Sequence, residues 1–176
     1  MIPRISSTIA ATVTALGLSA AGAIAAQLPA NASTFTATYS CSVPIVGTEA
    51  VTVDATLTAS PNPATVGSAV SFALDISSIS LESPIAIDSW SATAAIDGSG
   101  AETSAFDATG SGGAIAADTD ITDVDLTGSW TPSVSGTDTF VGGDFTIVAD
   151  TALLGDLTVT CTPSGTQPTA ETLTVS

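Results

Sequence analysis

After Arg4 the sequence contains no lysine, no arginine and no histidine, against 17 aspartates and glutamates. The first acid is Glu49 and the last is Glu171, so the chain past its N-terminal stretch is a polyanion without internal counter-charge. These absences exclude whole classes of chemistry. Imidazole bases, lysine Schiff bases and arginine clamps for phosphate have no residues to form them. A basic footprint for nucleic acid is equally missing, and the negative field repels phosphate backbones and anionic membranes. Aromatic residues are scarce at 5%, and charged residues of either sign reach only 10%. No segment after the N-terminal stretch carries a 3.6-residue apolar stripe, so helices are not expected there.

The N-terminal stretch has a recognisable order. Met1-Ile-Pro-Arg4 supplies a short positive start, and Ile9 to Ala26 forms an uncharged, Ala-rich apolar stretch. The small-x-small sites Ala23-Ile-Ala25 and Ala30-Asn-Ala32 follow, as in a secretory signal peptide. Cleavage after Ala32 fits best, because strand-like alternation begins at Ser33. Residues 1–32 are therefore expected to be removed and residues 33–176 to form a single domain. A retained anchor needs about 20 strongly apolar residues, whereas Thr12, Thr14, Gly17 and Ser19 interrupt this stretch. Cys41 lies too far past it to be a lipidated cysteine. The expected location is extracellular or at the cell surface, with no stable membrane insertion after cleavage.

A domain of this size buries about 68–70% of its unfolded surface, and a hydrophobic content of 44% can supply the core. The charge keeps such a surface soluble but repels itself unless salt or divalent cations screen it. Cys41 and Cys161 are the only cysteines and lie near the two ends of the expected domain. In an oxidising compartment an isolated pair of this kind bonds. The alternatives are two free thiols or half of a metal site, and without histidine or a second cysteine pair zinc is poorly served.

Period-two alternation runs through the chain. Phe35, Ala37, Tyr39 and Cys41 alternate with polar residues, as do Val51, Val53, Ala55 and Leu57, and then Val70, Phe72, Leu74 and Ile76. Trp90, Ala92, Ala94 and Ile96 continue the pattern in a register opposite to Ile85 and Ile87, which places a bulge near Asp88-Ser89. Phe145, Ile147, Leu157, Val159, Leu173 and Val175 mark later strands. Ser60-Pro-Asn-Pro63, Asp97-Gly-Ser-Gly100, Gly110-Ser-Gly-Gly113, Gly142-Gly-Asp144 and Pro163-Ser-Gly165 punctuate them as turns. Seven to nine short antiparallel strands predict an all-β, Ig-like sandwich. Residues 97–127 fit least well, as either a pair of exposed edge strands or a long loop.

The run Leu57-Thr-Ala-Ser-Pro-Asn-Pro-Ala-Thr-Val-Gly-Ser-Ala-Val-Ser-Phe72 resembles bacterial Ig-like modules. The bracket from Tyr39-Ser-Cys41-Ser-Val-Pro44 to Gly155-Asp-Leu-Thr-Val-Thr-Cys161-Thr-Pro is similar to a family of secreted actinobacterial Ig-like domains of unknown function. The resemblance spans roughly residues 35–163, with its distinctive residues at the two ends and around Pro61. It implies a secreted sandwich whose terminal strands are joined by Cys41 and Cys161, and it supplies no catalytic residues. Antibody-type domains differ, since they place a tryptophan soon after the first cysteine and here Trp90 lies far beyond Cys41.

The densest acidic run is Asp118-Thr-Asp120-Ile-Thr-Asp123-Val-Asp125. Clustered hard oxygens can hold calcium, although this spacing lacks the glycine and terminal glutamate of an EF-hand loop. Asp118, Asp120, Asp123 and Asp125 are thus calcium candidates. The competing reading is a solvated strand edge that its charges protect from pairing. No catalytic residue and no cofactor can be assigned. Ser and Thr have no neighbouring base, no Gly-x-Ser-x-Gly elbow occurs after the leader, and nothing nominates a pair among the 17 carboxylates. The expected function is that of a non-catalytic structural or cell-envelope-associated protein. The second reading is a module that binds glycan, protein or calcium through loops at one end of the sandwich.

Overall fold

The computed structural model describes residues 32–44 and 46–176. The expected leader, apart from Ala32, lies outside the described residues. Nine strands follow one another: β1 (Ser33–Val43), β2 (Gly47–Ser60), β3 (Val70–Ser83), β4 (Ser89–Gly100), β5 (Ser104–Gly112), β6 (Thr119–Trp130), β7 (Gly136–Thr151), β8 (Gly155–Pro163) and β9 (Glu171–Val175). All their pairings are antiparallel, and no helix occurs among the described residues.

The sheet order is β4-β5-β6-β3-β2-β1-β8-β7-β9, and β4 also pairs with β7. That extra pairing closes β1 to β8 into an eight-stranded barrel, which corrects the expectation of an Ig-like sandwich. The wall is uneven, however. β1 and β2 match through eleven register pairs from Ser33↔Leu57 to Val43↔Gly47. β1 and β8 match only from Tyr39↔Pro163 to Ser42↔Thr160. β5 and β6 match at Thr109↔Thr127 alone. The barrel thus consists of two four-stranded halves, β6-β3-β2-β1 and β8-β7-β4-β5, joined along two thin seams. Alternation fits both architectures, because a flattened barrel and a sandwich each bury one face of every strand.

Each seam has its own fastening. At the first, Cys41 stands directly opposite Cys161 in register, and the two form a disulfide with Cα atoms 4.0 Å apart. At the second, β5 and β6 cross closely on either side of the Thr109↔Thr127 pair. A Cβ at Gly110 would collide with the Asp125 carbonyl oxygen, and one at Gly128 would come within 2.7 Å of the Asp107 carbonyl oxygen. Glycine is required at both positions, since only backbone without side chain fits so close a crossing.

Aromatic side chains tie the halves together inside. Phe72 of β3 packs 4.6 Å from Phe106 of β5 and 4.9 Å from Phe140 of β7, centroid to centroid, and Trp130 of β6 sits 5.6 Å from Phe140. On the disulfide side Tyr39 meets Phe145 edge-on at 4.8 Å. Each such pair adds about 0.5–1.5 kcal/mol beyond its area burial. An interior cavity beside Tyr39 and Phe145 measures only about 30 Å³. The interior is therefore a packed core and not a ligand chamber.

Several turn assignments change. Residues 97–127 are neither an edge nor a loop: β5 pairs with β4 from Trp90↔Gly112 to Gly98↔Ser104, and β6 lies inside the wall against β3. Gly142-Gly143 is strand interior, with the Tyr39 hydroxyl seated over Gly142. Asp97-Gly-Ser-Gly100 likewise belongs to β4, and Gly110–Gly112 to β5. The break before β4 falls at a bend at Asp88, while the register of β4 against β7 shifts between Ala94 and Ile96, where β7 carries the extra residue. Ile87 makes an isolated bridge to Ile115.

Three acid pairs stand directly opposite one another across strands: Asp75↔Asp125, Glu82↔Asp120 and Asp150↔Asp156. Like charges so placed are destabilising, by up to about 1 kcal/mol a pair. With no cation in the domain, raising salt can only weaken repulsion between side chains. The melting midpoint is therefore expected to rise between about 0.1 M and about 1 M NaCl, where the Debye length shrinks from roughly 10 to 3 Å. Asp75→Asn should raise the midpoint in low salt and flatten the salt dependence. A midpoint that stays flat or falls with NaCl contradicts this account.

Candidate functional site

The antiparallel order gathers the loops at two ends. One end, the mouth, carries Pro44 and Val46 and the turns 84–88, 113–118 and 152–154. The other, the base, carries loops 61–69, 101–103, 131–135 and 164–170.

At the base, carboxylates satisfy backbone donors. Glu102, in the β4–β5 turn, accepts hydrogen bonds from the Ser133 hydroxyl (2.6 Å) and the Ser133 N–H (2.7 Å). The hydroxyl first, then the N–H, holds its carboxyl below the usual range. The N–H of Glu102 donates in turn to Asp138 Oδ1 at 3.0 Å. Asp138 is fully buried between Gly100 and Leu173 in register, and neither its Oδ2 nor the Ser104 hydroxyl has a hydrogen-bond partner. Glu171, also buried, accepts from the N–H of Thr172 (2.7 Å) and of Ala59 (3.4 Å). Burial pushes its carboxyl above the ordinary range, against the pull of those two donors.

The same use of acids recurs midway along the wall. Asp54 accepts from the hydroxyls of Thr36 (2.6 Å) and Ser78 (3.1 Å), where Ser77 bulges out of β3. Tyr39 adds no base. Its burial, reinforced by the Asp144 charge, pushes the phenol up to about 12.

The mouth differs in character. Val43, Leu81, Ile85, Ile121, Leu157 and Val159 are among the residues lining an apolar recess of about 60 Å³. Beside it an open groove of about 620 Å³ is lined by Glu49, Glu82, Asp118 and Asp120 over Val46, Leu81 and Pro84. The β7–β8 turn rises from the rim, with Leu153 80% exposed and Leu154 51% exposed. Thr151 Oγ1 orders this turn by donating to the Gly155 carbonyl (2.9 Å) and accepting from the Leu154 N–H (3.1 Å).

The four calcium candidates do not stay together. Asp118 precedes β6 at φ 57°, and its N–H donates to the Ser83 carbonyl at 2.7 Å. Asp118 and Asp120 line the groove, whereas Asp125 faces Asp75 on the outer wall. Asp123 adopts φ 56° inside β6, a conformation aspartate tolerates better than most residues. That twist lets Ile121, Val124 and Leu126 all face the core although their spacing is uneven. Among the described residues no three Asp, Glu, His or Cys side chains come together as a metal-binding group. Sequence reasoning missed Glu49 and Glu82, the acids that do accompany Asp118 and Asp120, because they arrive from distant strands with no local pattern. It also missed the exposed leucine tip, which was visible as the unbroken pair Leu153-Leu154.

The buried Glu171 gives a pH prediction. Because its folded-state value is raised, the folded protein holds a proton that the unfolded chain releases. Its contribution is complete below the ordinary glutamate range and is lost as pH rises through the raised value. Glu102 works the other way, losing its contribution as pH falls through its depressed value. Thermal melts should therefore improve as pH drops from neutral into the weakly acidic range and worsen at still lower pH. Glu171→Gln should flatten the first of these slopes. A wild-type midpoint that falls steadily from neutral downward would contradict the assignment.

No protein-family model matches this chain, and no curated protein matches it either, so the geometry alone carries the functional reading.

Proposed function

We propose that this chain is an exported, non-catalytic structural or cell-envelope-associated protein, Ig-like in strand pattern, whose folded barrel is itself the function. The observation that carries this reading is the placement of its aromatic residues. Every Trp, Tyr and Phe among the described residues is buried or half-buried, so the surface offers no exposed stacking platform. The interior beside Tyr39 and Phe145 is closely packed, and the groove residues include no histidine, lysine or cysteine. The disulfide is compatible with an oxidising compartment. Outward positions along the strands are mainly Thr, Ser, Ala and Asp while the apolar residues face in, the reverse of a membrane barrel. The secreted actinobacterial Ig-like family remains the source suggested by the cysteine bracket.

A second reading is a binding module that uses one end of the barrel. Leu153 and Leu154, exposed on a hydrogen-bonded turn, favour the mouth and favour protein over glycan or calcium. Fractionating the native host into medium, wall, membrane and cytoplasm, with a blot for this protein, tests the proposal. The expected result is a processed band in the medium or wall. A full-length band in the cytoplasm or an uncleaved one in the membrane would overturn it.

A further inference from the structure

From the chemistry of the mouth we infer that this end of the barrel is a docking surface for a basic polypeptide segment bearing an aliphatic anchor. The inference does not rest on the structural role proposed above and stands or falls separately. Two features coincide there. The first is apolar: the Leu153-Leu154 tip, Val46 at 49% exposure, and the recess framed by Leu81, Ile85 and Leu157. The recess is lined almost wholly by apolar side chains, which suits an aliphatic side chain. The tip is exposed on an ordered turn, because Thr151 fixes both sides of it. Exposed leucines on a hydrogen-bonded turn beside an apolar recess mark an interaction site more than a lone surface leucine does.

The second feature is charge. Glu82 and Asp120 face each other across β3 and β6 in the adjoining groove, with Glu49 and Asp118 beside them. Asp150 and Asp156 face each other on the stem of the leucine turn. The apolar patch is therefore ringed by unpaired negative charge, much of it held in mutual repulsion. Charge complementarity selects the occupant. A second copy of this chain brings only more acid, and an anionic lipid surface is repelled for the same reason. A segment carrying Lys or Arg relieves the opposed pairs while its apolar side chain fills the recess. Only such a partner satisfies both halves of the surface.

A direct test uses the purified, disulfide-intact protein and a short fluorescent peptide alternating Lys and Leu, followed by anisotropy at low salt. A peptide of equal length and charge alternating Lys and Ser is the companion probe. The Lys-Leu peptide should bind the more tightly. Leu153→Ser with Leu154→Ser should weaken it by roughly tenfold, the scale of a partly buried leucine contact. Glu82→Gln with Asp120→Asn should weaken it several-fold, while Asp97→Asn with Asp107→Asn, removing equal charge elsewhere, should change it less than about twofold. Backbone amide shifts of the unmodified protein should move at Val46, Leu81, Leu153 and Leu154. Equal binding of the two peptides, equal effects of the two charge-removing pairs, or shifts spread evenly over the barrel would overturn the inference. So would the absence of any saturable binding of the Lys-Leu peptide.

Discussion

The covalent link between Cys41 and Cys161 fastens one of the two thin seams of the barrel wall. β1 is bound along its whole length to β2, but it touches β8 only over Tyr39–Ser42. Without closure there, the two four-stranded halves would be joined by the crossing of β5 over β6, by the side chains between them, and at the base, where β9 on β7 hydrogen-bonds loop 61–69. The disulfide joins residues 120 apart in sequence, so it also removes a large share of the unfolded chain's freedom. On the chain-entropy model a loop of this size is worth on the order of 4–5 kcal/mol. That is a large fraction of the 5–15 kcal/mol that stabilises a typical domain. The aromatic contacts across the halves, Phe72 with Phe106 and Phe140 and Tyr39 with Phe145, require that the halves already face each other.

A fold without cations must use its acids differently. Five carboxylates act as hydrogen-bond acceptors for backbone N–H groups and hydroxyls: Asp54 and Asp123 on the outer wall, and Glu102, Asp138 and Glu171 at the base. Hydrogen bonds to charged groups are worth more than neutral ones, so these acids repay part of the cost of carrying them. The remaining acids have no such partner. Six of them stand in opposed pairs, and Glu49 and Asp118 join Glu82 and Asp120 at the mouth, where they contribute repulsion to the fold and attraction to any basic visitor. One composition thus produces two ends of different character, a base where carboxylates accept backbone hydrogen bonds and a mouth where they face one another.

Much of the fold was legible because alternation is a strong signal. Phe35, Ala37, Tyr39 and Cys41 do share the inner face of β1, and Phe72, Leu74 and Ile76 that of β3. β5 was illegible because its inward positions after Phe106 are Ala108, Gly110 and Gly112, the glycines kept small by the β6 crossing and by Trp90, neither of which the sequence can announce. Gly142-Gly143 looked like a turn for a related reason, since a tyrosine from another strand occupies the missing side-chain space. Closure rather than an open sandwich depended on β4 meeting β7, a pairing between strands far apart in sequence. Of the site, the Asp118–Asp125 run was visible. Its division between the groove and the outer wall was not, because the left-handed turn at Asp123 leaves no mark in composition.

Backbone hydrogen exchange, measured on the oxidised protein and on the Cys41→Ala/Cys161→Ala double variant, probes the closure directly. If the disulfide holds the thin seam, amides of Tyr39–Ser42 and Thr160–Thr162 will lose protection first and most in the variant. Those paired between β2 and β3 and between β4 and β7 will stay protected under conditions where the variant remains folded. Uniform loss across all strands, or unchanged protection at the seam, would show that the two halves stay closed without it.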